Sequence, residues 1–469
     1  MSYNQQKSSG LIRIFKSILP SPFTIAILLT FITLIIAQIF TKPASVAHAD
    51  YFLKLISSWE SGLWNSSSGG LYFAFQMMLI LVLGHILALT PAVDRLIKSL
   101  LRYCKTTASS VVIVALGAMT LGLVNWGLGL IFGAILARKI GEKFAETNTP
   151  LNYGLVGAAG YATMATWHSG LSGSATTKAM EDGYITEMVK NANIQGNFPS
   201  SIPFGESIGS SMNIILVSVC LISIPLLLYW IAKKTKNEKV PQFKNTHKTI
   251  KAAEKQTIDG AERLDYSKVL GMALGISILI FGIYKAVTYN GSSALGFIQL
   301  NFINFIFLGL SLTLHKNIRN FTSALQKAIG DISGILIQFP FYFGILAIMN
   351  SSGLIALFSN SITSIASATT LPLFTFFSAG VFNFFVPSGG GQWAIQGPII
   401  AETAQRLGAD LPKTILAMAY GDQLTNMLQP FWALPLLGIT KLKPQQLLPY
   451  TFLIFLVALV IFGIGLLVF

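Results

Sequence analysis

The chain has 469 residues, of which 53% are hydrophobic and 11% are charged, and its formal net charge is +14. A soluble protein carries roughly 25% charged residues because its surface must face water, so this composition excludes the soluble class and predicts a membrane protein. The positive charge does not indicate nucleic-acid binding, because Lys and Arg lie in short clusters between apolar runs, as in loops on the cytoplasmic side of a membrane.

Apolar runs recur along the whole chain, and a bilayer crossing needs about 20 helical residues. Nine runs predict full spans, in chain order Ser21–Thr41, Leu71–Leu89, Asn152–Trp167, Asn213–Ala232, Val269–Tyr284, Gln299–Leu314, Gly334–Met349, Lys413–Leu428 and Thr451–Phe469. The first run lacks a small-residue cleavage site, and we interpret it as a retained span rather than a signal peptide.

Two further apolar stretches, Ser110–Leu136 and Leu371–Ile400, are interrupted at their centres by Gly, Asn, Pro or Ser. If every basic cluster is cytoplasmic, each stretch must enter and leave the membrane on the same side, the first from the cytoplasm and the second from the periplasm. We therefore expect an all-α polytopic fold of about nine transmembrane helices plus two re-entrant hairpins. The N-terminus is expected in the cytoplasm and the chain in a bacterial inner membrane.

The two interrupted stretches and their neighbours match at a nearly constant offset. The matches are Gln76 with Gln338, Gly129 with Gly390, Phe132 with Trp393, Pro150 with Pro412 and Gly160 with Gly421. This predicts inverted-topology repeats, which place a substrate site at the bilayer midplane where broken helices meet. The expected divisions are an N-terminal segment (1–20), a first repeat (21–232), a basic cytoplasmic linker (233–266), a connecting helix (267–298) and a second repeat (299–469).

The second interruption contains the most informative segment, Pro387–Trp393. Pro387 ends the preceding helix because it lacks a backbone donor, and successive glycines allow a nest of N–H groups around a carboxylate. The substrate-binding residues predicted here are Ser388, Gly389, Gly390, Gly391, Gln392 and Trp393. The alternative is a bend without a ligand, and we expect Gly390→Ala or Ser388→Ala to abolish transport if the segment binds substrate.

The first interruption reads Asn125-Trp126-Gly127-Leu128-Gly129 and is less polar. Asn125, Gly127 and Gly129 are predicted to complete the site from the opposite side. For Asn125 two roles stay open, a ligand contact or a hydrogen bond between helices.

Polar residues follow each interruption inside apolar spans, where they are costly and usually functional. His168 and Asp422 are the candidates for ion coupling, against the alternatives of a helix-end histidine and a paired structural carboxylate. Asn426 and Gln429 are predicted to contact substrate, whereas Asn301 and Asn304 are expected to join helices.

The sequence contains no Walker A loop, no His-Glu-x-x-His and no Gly-x-Ser-x-Gly elbow, so neither an enzyme nor a nucleotide-driven pump is predicted. Cys104 and Cys220 are expected to be packing residues. We expect no catalytic residues, no metal site and no cofactor, and transport driven by a gradient of H+ or Na+.

The run Asn383–Pro398, which includes Gly-Gly-Gly-Gln-Trp-Ala-Ile-Gln-Gly-Pro, resembles the signature of the short-chain fatty acid transporter family. The similarity extends from Ser21 to Phe469, with Gly421–Trp432 as a second recognisable block. This family is similar to the wider ion-transporter superfamily, whose members have inverted repeats with two re-entrant hairpins. The resemblance implies symport of a small monocarboxylate, such as butyrate or acetoacetate, with H+ or Na+.

A carrier of dicarboxylates or other organic anions is the main alternative, and a channel is a further one. Neither tip contains Lys or Arg, which favours a singly charged substrate. The expected partners are this substrate and the lipid bilayer, with no nucleic acid, and assembly as a monomer or a homo-oligomer stays open.

Overall fold

The computed structural model describes residues 20–64, 70–192, 194–240, 260–290, 297–298, 300–354, 356–357, 361, 365–387 and 389–469. Within these ranges the chain is helical, apart from loops and one isolated antiparallel bridge between Leu151 and Glu238. The predicted fold class is thus confirmed as an all-α protein with several apolar helices. The first 19 residues and residues 241–259, the middle of the predicted basic linker, lie outside the described part.

Polar residues begin many helices in the first half, because their side chains accept hydrogen bonds from N–H groups that the first turn leaves unpaired. Ser21, Thr106 and Ser210 do so. The described helices up to residue 240 are α1 (Pro22–Phe40), α2 (His48–Trp64), α3 (Gly70–Ala88), α4 (Pro91–Leu101), α5 (Thr107–Val124), α6 (Trp126–Glu146), α7 (Tyr153–Tyr161), α8 (Ser174–Ala179), α9 (Tyr184–Asn191) and α10 (Ser211–Lys234).

In the second half, proline stands in the first turn of four helices, where its missing N–H leaves no hydrogen bond unmade. The described helices after residue 260 are α11 (Glu262–Asp265), α12 (Lys268–Val287), α13 (Leu300–His315), α14 (Ile318–Ala328), α15 (Ser333–Ser352), α16 (Leu371–Asn383), α17 (Gly389–Leu407), α18 (Leu411–Thr425), α19 (Pro430–Thr440) and α20 (Pro444–Val468).

Five of the described helices, α1, α5, α10, α12 and α20, are long and apolar enough to cross a bilayer. A sixth span results if α3 and its bent continuation α4 count as one. Large apolar side chains on these helices face outward, among them Ile39 (66% exposed) and Leu467 (68% exposed). Such surfaces are stable in lipid and unfavourable in water, so the chain is a multi-pass membrane protein. The count of nine spans stays a prediction.

Some helices differ from the predicted spans. The predicted span Asn152–Trp167 is α-helical only to Tyr161, after which two 3₁₀ turns follow. The predicted span Lys413–Leu428 leaves the α-helix after Thr425, and Gln429 is extended because it precedes Pro430. Helices α2, α4 and α14 were not predicted as elements.

The first interruption falls at Asn125, whose extended backbone (φ −154°, ψ 126°) separates α5 from α6. The two helices fold back on each other and pack closely. A β-carbon built on Gly117 of α5 would lie 2.5 Å from the ring of Phe132 of α6. Helices α16 and α17 fold back in the same way, since Gln392 Nε2 donates to the carbonyl oxygen of Ala379 (3.0 Å). Each helical hairpin is followed by a helix that is broken. The first break is the pair of 3₁₀ turns Ala162–Ala165 and Trp167–Ser169 after α7. The second break is the 3₁₀ turn Asn426–Leu428 and the extended residue Gln429 after α18.

Asn301 and Asn304 join α13 to α3, as predicted. Asn301 accepts a hydrogen bond from Gln76 Nε2 (2.7 Å), and Asn304 Nδ2 donates to the carbonyl oxygen of Gln76 (3.0 Å).

Candidate functional site

The two broken helices satisfy each other's backbone groups. At the first break, Gln423 Oε1 accepts hydrogen bonds from the backbone N–H groups of His168 (2.9 Å) and Ser169 (3.1 Å). At the second break, the hydroxyl of Tyr161 donates to the carbonyl oxygens of Asn426 (2.8 Å) and Gln429 (3.2 Å). Each broken helix therefore provides a side chain that hydrogen-bonds the backbone groups left unpaired where the other helix ends. This exchange holds the two breaks face to face inside the protein.

A buried ionisable pair lies between the breaks. His168 Nδ1 is 2.6 Å from Asp422 Oδ2, and the two side chains are 0% and 1% exposed. Charge at such a position is unfavourable unless it is paired, and removal of one partner of a buried pair typically costs about 3–5 kcal/mol. Buried ionisable groups in membrane proteins are usually functional. The fold thus brings together the two residues that were predicted separately as ion-coupling candidates.

Amide side chains line the second break. Asn383, at the end of α16, donates through Nδ2 to the carbonyl oxygen of Asp422 (2.7 Å), to Thr425 Oγ1 (2.9 Å) and to Asn426 Oδ1 (2.6 Å). Gln429 Nε2 donates to the carbonyl oxygen of Asn383 (2.7 Å). Because a carbonyl oxygen only accepts, these contacts determine which amide atom is nitrogen.

Three amide atoms of this group are buried and have no hydrogen-bond partner. They are Asn383 Oδ1, Asn426 Nδ2 and Gln429 Oε1. Leaving a buried polar atom unpaired costs about 1–3 kcal/mol. One donor and two acceptors are thus available to a ligand at the second break. At the first break the hydroxyls of Thr163 and Thr166 and Trp167 Nε1 are also buried without a partner, so the candidate binding site lies between the two facing breaks.

The second hairpin tip packs directly on the ionisable pair. A β-carbon built on Gly389, the first residue of α17, would lie 2.8 Å from His168 Cε1 and 3.2 Å from both Asp422 Oδ2 and Trp167 Cη2. No larger residue fits at position 389 without displacing the pair. Ser388, which the sequence places in the site, lies outside the described residues.

The rest of the first turn of α17 has mixed surroundings. Gly390 is exposed, and a β-carbon there would meet nothing closer than Ser174 Cβ at 3.8 Å. Gly391 is half-buried. Gln392 is buried and its Oε1 has no partner, whereas Trp393 is 1% exposed in a separate apolar cluster with Ile400 and Met418. The predicted substrate roles of these four residues stay predictions.

The polar groups of the first tip are used within the fold. Asn125 Oδ1 accepts from the N–H groups of Gly127 (2.9 Å) and Leu128 (3.1 Å), and Asn125 Nδ2 donates to the carbonyl oxygen of Ile298 (3.3 Å). Gly129 faces the interior of its hairpin, where a β-carbon would lie 2.5 Å from a carbonyl oxygen of α5. Asn125 is thus the N-cap of α6, and ligand contacts by Asn125, Gly127 and Gly129 stay predictions.

Three tryptophans converge beside the pair and were not predicted. The rings of Trp126, Trp167 and Trp432 lie with centroids 5.1 to 6.5 Å apart. Trp167 also stacks on the imidazole of His168 (centroids 4.4 Å apart, interplanar angle 18°). Trp167 therefore contacts both tips, through Trp126 at the first and Gly389 at the second.

A pattern in the sequence could have identified these tryptophans as site residues. A tryptophan stands within a few positions of each of the four breaks, as Trp126, Trp167, Trp393 and Trp432. Tyr161, Asn383 and Gln423 are polar residues inside otherwise apolar runs, but nothing local indicates their partners.

No three His, Cys, Asp or Glu side chains in the described part of the chain lie close enough together to hold a metal ion. The unpaired acceptors at the second break are amide oxygens, a ligand type that hard cations also accept.

The chain is similar to known transport proteins over nearly its whole length. The family model described as "Short chain fatty acid transporter" matches residues 5–469. A Haemophilus influenzae protein with the name "Putative short-chain fatty acid transporter" is 35% identical over 455 residues, which cover 95% of this chain and 96% of that protein. An Escherichia coli K12 protein of the same name is 34% identical over 453 residues, which cover 96% of each chain.

Two solved structures are also similar to this chain. The YdaH transporter of Alcanivorax borkumensis has 16% sequence identity and a TM-score of 0.45, over 95% of this chain and 98% of that one. The MtrF structure from Neisseria gonorrhoeae, described within a class of antimetabolite efflux pumps, has 16% identity and a TM-score of 0.44, over 97% of each chain.

Proposed function

The chain belongs to the short-chain fatty acid transporter family, and we propose that it is a secondary active transporter of small monocarboxylates, such as butyrate or acetoacetate, across the bacterial inner membrane. The observation that carries this proposal is the buried His168–Asp422 pair beside unpaired amide atoms. A polar site enclosed by protein suits a carrier that binds one substrate at a time, rather than a channel.

The substrate carboxylate binds at the second break in this proposal. Asn426 Nδ2 is a buried donor without a partner, and the first turn of α17 adds the N–H groups of a helix N-terminus, which favour an anion. Neither Asn125–Gly129 nor Pro387–Trp393 contains Lys or Arg, so one negative charge fits better than two. Gln429 Oε1 and Asn383 Oδ1 are further unpaired acceptors at this break.

The proposed mode of transport is symport, with Asp422 and His168 as the groups that link substrate to ion. The hairpins α5–α6 and α16–α17 are proposed to be re-entrant from opposite sides of the membrane in two inverted repeats. The same order of hairpin and broken helix in each half supports this arrangement. It places the facing breaks near the bilayer midplane and the N-terminus in the cytoplasm.

Uptake by purified protein in liposomes tests the function. Radiolabelled acetate, butyrate, acetoacetate and succinate are supplied at fixed pH, with and without Na+, and entry into protein-free vesicles is subtracted because undissociated acids cross lipid unaided. We expect gradient-driven uptake of at least one monocarboxylate and little uptake of succinate. The proposal fails if no short monocarboxylate enters faster than in protein-free vesicles, and preferred uptake of succinate makes the chain a dicarboxylate carrier.

A further inference from the structure

We infer that the coupling ion is a proton, that it is received at Nε2 of His168, and that its arrival releases helix α8 from the imidazole. This inference rests on the proposed transport function. It goes further by naming the ion, the atom that takes it and the element that responds.

The hydrogen bonds of His168 determine which ring nitrogen carries the proton in this structure. The backbone N–H of Ala175 donates to Nε2 over 3.0 Å, so Nε2 is an acceptor and has no hydrogen. On the other side of the ring, Nδ1 lies 2.6 Å from Asp422 Oδ2. A neutral imidazole has one N–H group, so Nδ1 carries the hydrogen and donates it to Asp422. We take Asp422 as ionised, which gives the pair one negative charge.

No neighbouring cation balances this charge among the described residues. Tyr161 and Tyr420, on α7 and α18, use their hydroxyls in hydrogen bonds to carbonyl oxygens and to Asn213 Oδ1 respectively. Lys178 of α8 points outward, where it pairs with Glu181, and both side chains are about half exposed. The remaining charged residues of α17 and α18 lie in the turns farthest from the pair; these are Glu402, Arg406 and Lys413. Helices α5 and α16 contain no charged residue.

An added proton neutralises this buried charge. The ring nitrogen that carries no hydrogen is Nε2, which accepts from the N–H of Ala175. Two hydrogens cannot occupy that contact, so the first turn of α8 must move away when Nε2 is protonated.

Helix α8 links this event to the second hairpin tip. Its first turn is held to His168 at a second point, where Thr176 Oγ1 donates to the carbonyl oxygen of His168 (3.4 Å). Ser174, the first residue of α8, is the nearest neighbour of a β-carbon built on Gly390. Movement of α8 is thus transmitted directly to the start of α17, where the carboxylate is proposed to bind.

Replacement of Ala175 by lactic acid tests the inference, because the backbone ester that results lacks the N–H group and adds no atom beside Nε2. Proline is unsuitable here, since its Cδ would take the place of the hydrogen that points at Nε2. The matched control is the same amide-to-ester replacement at Val269, which is the second residue of α12 and is 79% exposed. The assay is exchange of labelled external for unlabelled internal acetoacetate in liposomes, with equal pH on both sides and the signal of protein-free vesicles subtracted.

The quantity measured is the pH at which exchange is half-maximal, which does not depend on how much protein is active. The bond from Ala175 stabilises unprotonated Nε2, so its loss should move this midpoint upward by roughly half to one pH unit, the equivalent of one hydrogen bond. Asp422→Asn removes the negative charge that favours the imidazolium, and should move the midpoint downward by about one unit or more. The ester at Val269 should follow the wild type.

Opposite shifts support the inference. An unchanged midpoint with the ester at Ala175, or a shift in the same direction for this ester and for Asp422→Asn, overturns it. Wild-type uptake that responds to Na+ and not to pH also overturns it while leaving the transport function intact. A wild type that exchanges no monocarboxylate instead refutes the proposed function.

Discussion

The two hairpins of this chain contact their broken helices in different ways. In the first half the contact is made by glycines: the hydroxyl of Thr163 occupies the space that a β-carbon on Gly122 would need, and Gly133 packs against the backbone of Gly160. In the second half, Asn383 reaches from the hairpin to three acceptors on and after α18. The first contact is a close backbone approach, and the second is a polar network.

The contact of the first hairpin is therefore steric packing, whereas the contact of the second hairpin is made of hydrogen bonds. At the first hairpin tip, Asn125 is used up as a helix cap. At the second break, buried donors and acceptors remain without partners. A repeated sequence pattern thus breaks a helix in both halves, and unpaired buried polar atoms lie at both breaks: the hydroxyls of Thr163 and Thr166 and Trp167 Nε1 at the first, and three amide atoms at the second. Changes at the first hairpin tip should mainly affect folding, and changes at the second break should mainly affect transport.

The largest effect is expected for Gly133→Ala. The added β-carbon would lie 2.5 Å from the carbonyl oxygen of Gly160, and backbone cannot turn aside as a side chain can. We expect a loss of stability of about 3 kcal/mol or more, at the upper end of overpacking costs, seen as a lower thermal unfolding midpoint in detergent. Gly463→Ala, where no atom lies within 4 Å, is the control and should unfold like the wild type. Equal midpoints for the two variants would show that the first hairpin is not closely packed.

The next effect concerns transport. Gly389→Ala places a β-carbon 2.8 Å from His168 Cε1, so we expect uptake to fall by about tenfold or more through displacement of the His168–Asp422 pair. Gly390→Ala keeps the same helix start and meets nothing closer than 3.8 Å, so it should lose far less. The geometry thus moves the sensitive position from Gly390, as expected from sequence, to Gly389. If Gly390→Ala is the more damaging variant, the tip binds substrate through Gly390 instead.

The smallest effects come from a pair of asparagines. Asn125→Ala removes the cap of α6 and should reduce stability by about 1 kcal/mol without changing the KM for substrate. Asn426→Ala removes a buried unpaired donor and the acceptor of a hydrogen bond from Asn383, so it should raise KM by several-fold and also lower the unfolding midpoint. Uptake kinetics and thermal unfolding are measured for both. A raised KM in Asn125→Ala would make the first tip a binding tip and remove the contrast between the halves.

Much of the architecture followed from the sequence. Composition predicted the membrane class, and apolar runs marked most of the long helices. Asn125 was expected to interrupt two helices, and it does. A break was also expected at Pro387–Gly391, but α16 already ends at Asn383 and the three glycines form the first turn of α17 instead of a bend. Missed elements such as α2 and α4 lack the continuous apolar run on which the prediction of spans depends.

The chain alone also identified His168, Asp422, Asn426 and Gln429 as polar residues in costly positions. It did not indicate their partners, because these lie far away in the sequence. His168 receives its backbone acceptor from Gln423, 255 residues later, and Tyr161 donates to Asn426 across 265 residues.

Where a helix must stop is a local property, because a missing donor or an extended backbone acts within one turn. Residue type and order were therefore enough to predict an interruption in each hairpin, but not the breaks after α7 and α18, which were predicted as continuous spans. Which side chain satisfies each freed group depends on which segments pack together, and only the tertiary structure decides that. In the tertiary structure Asn125 caps α6, His168 is paired with Asp422, and the amide atoms at the second break have no partner.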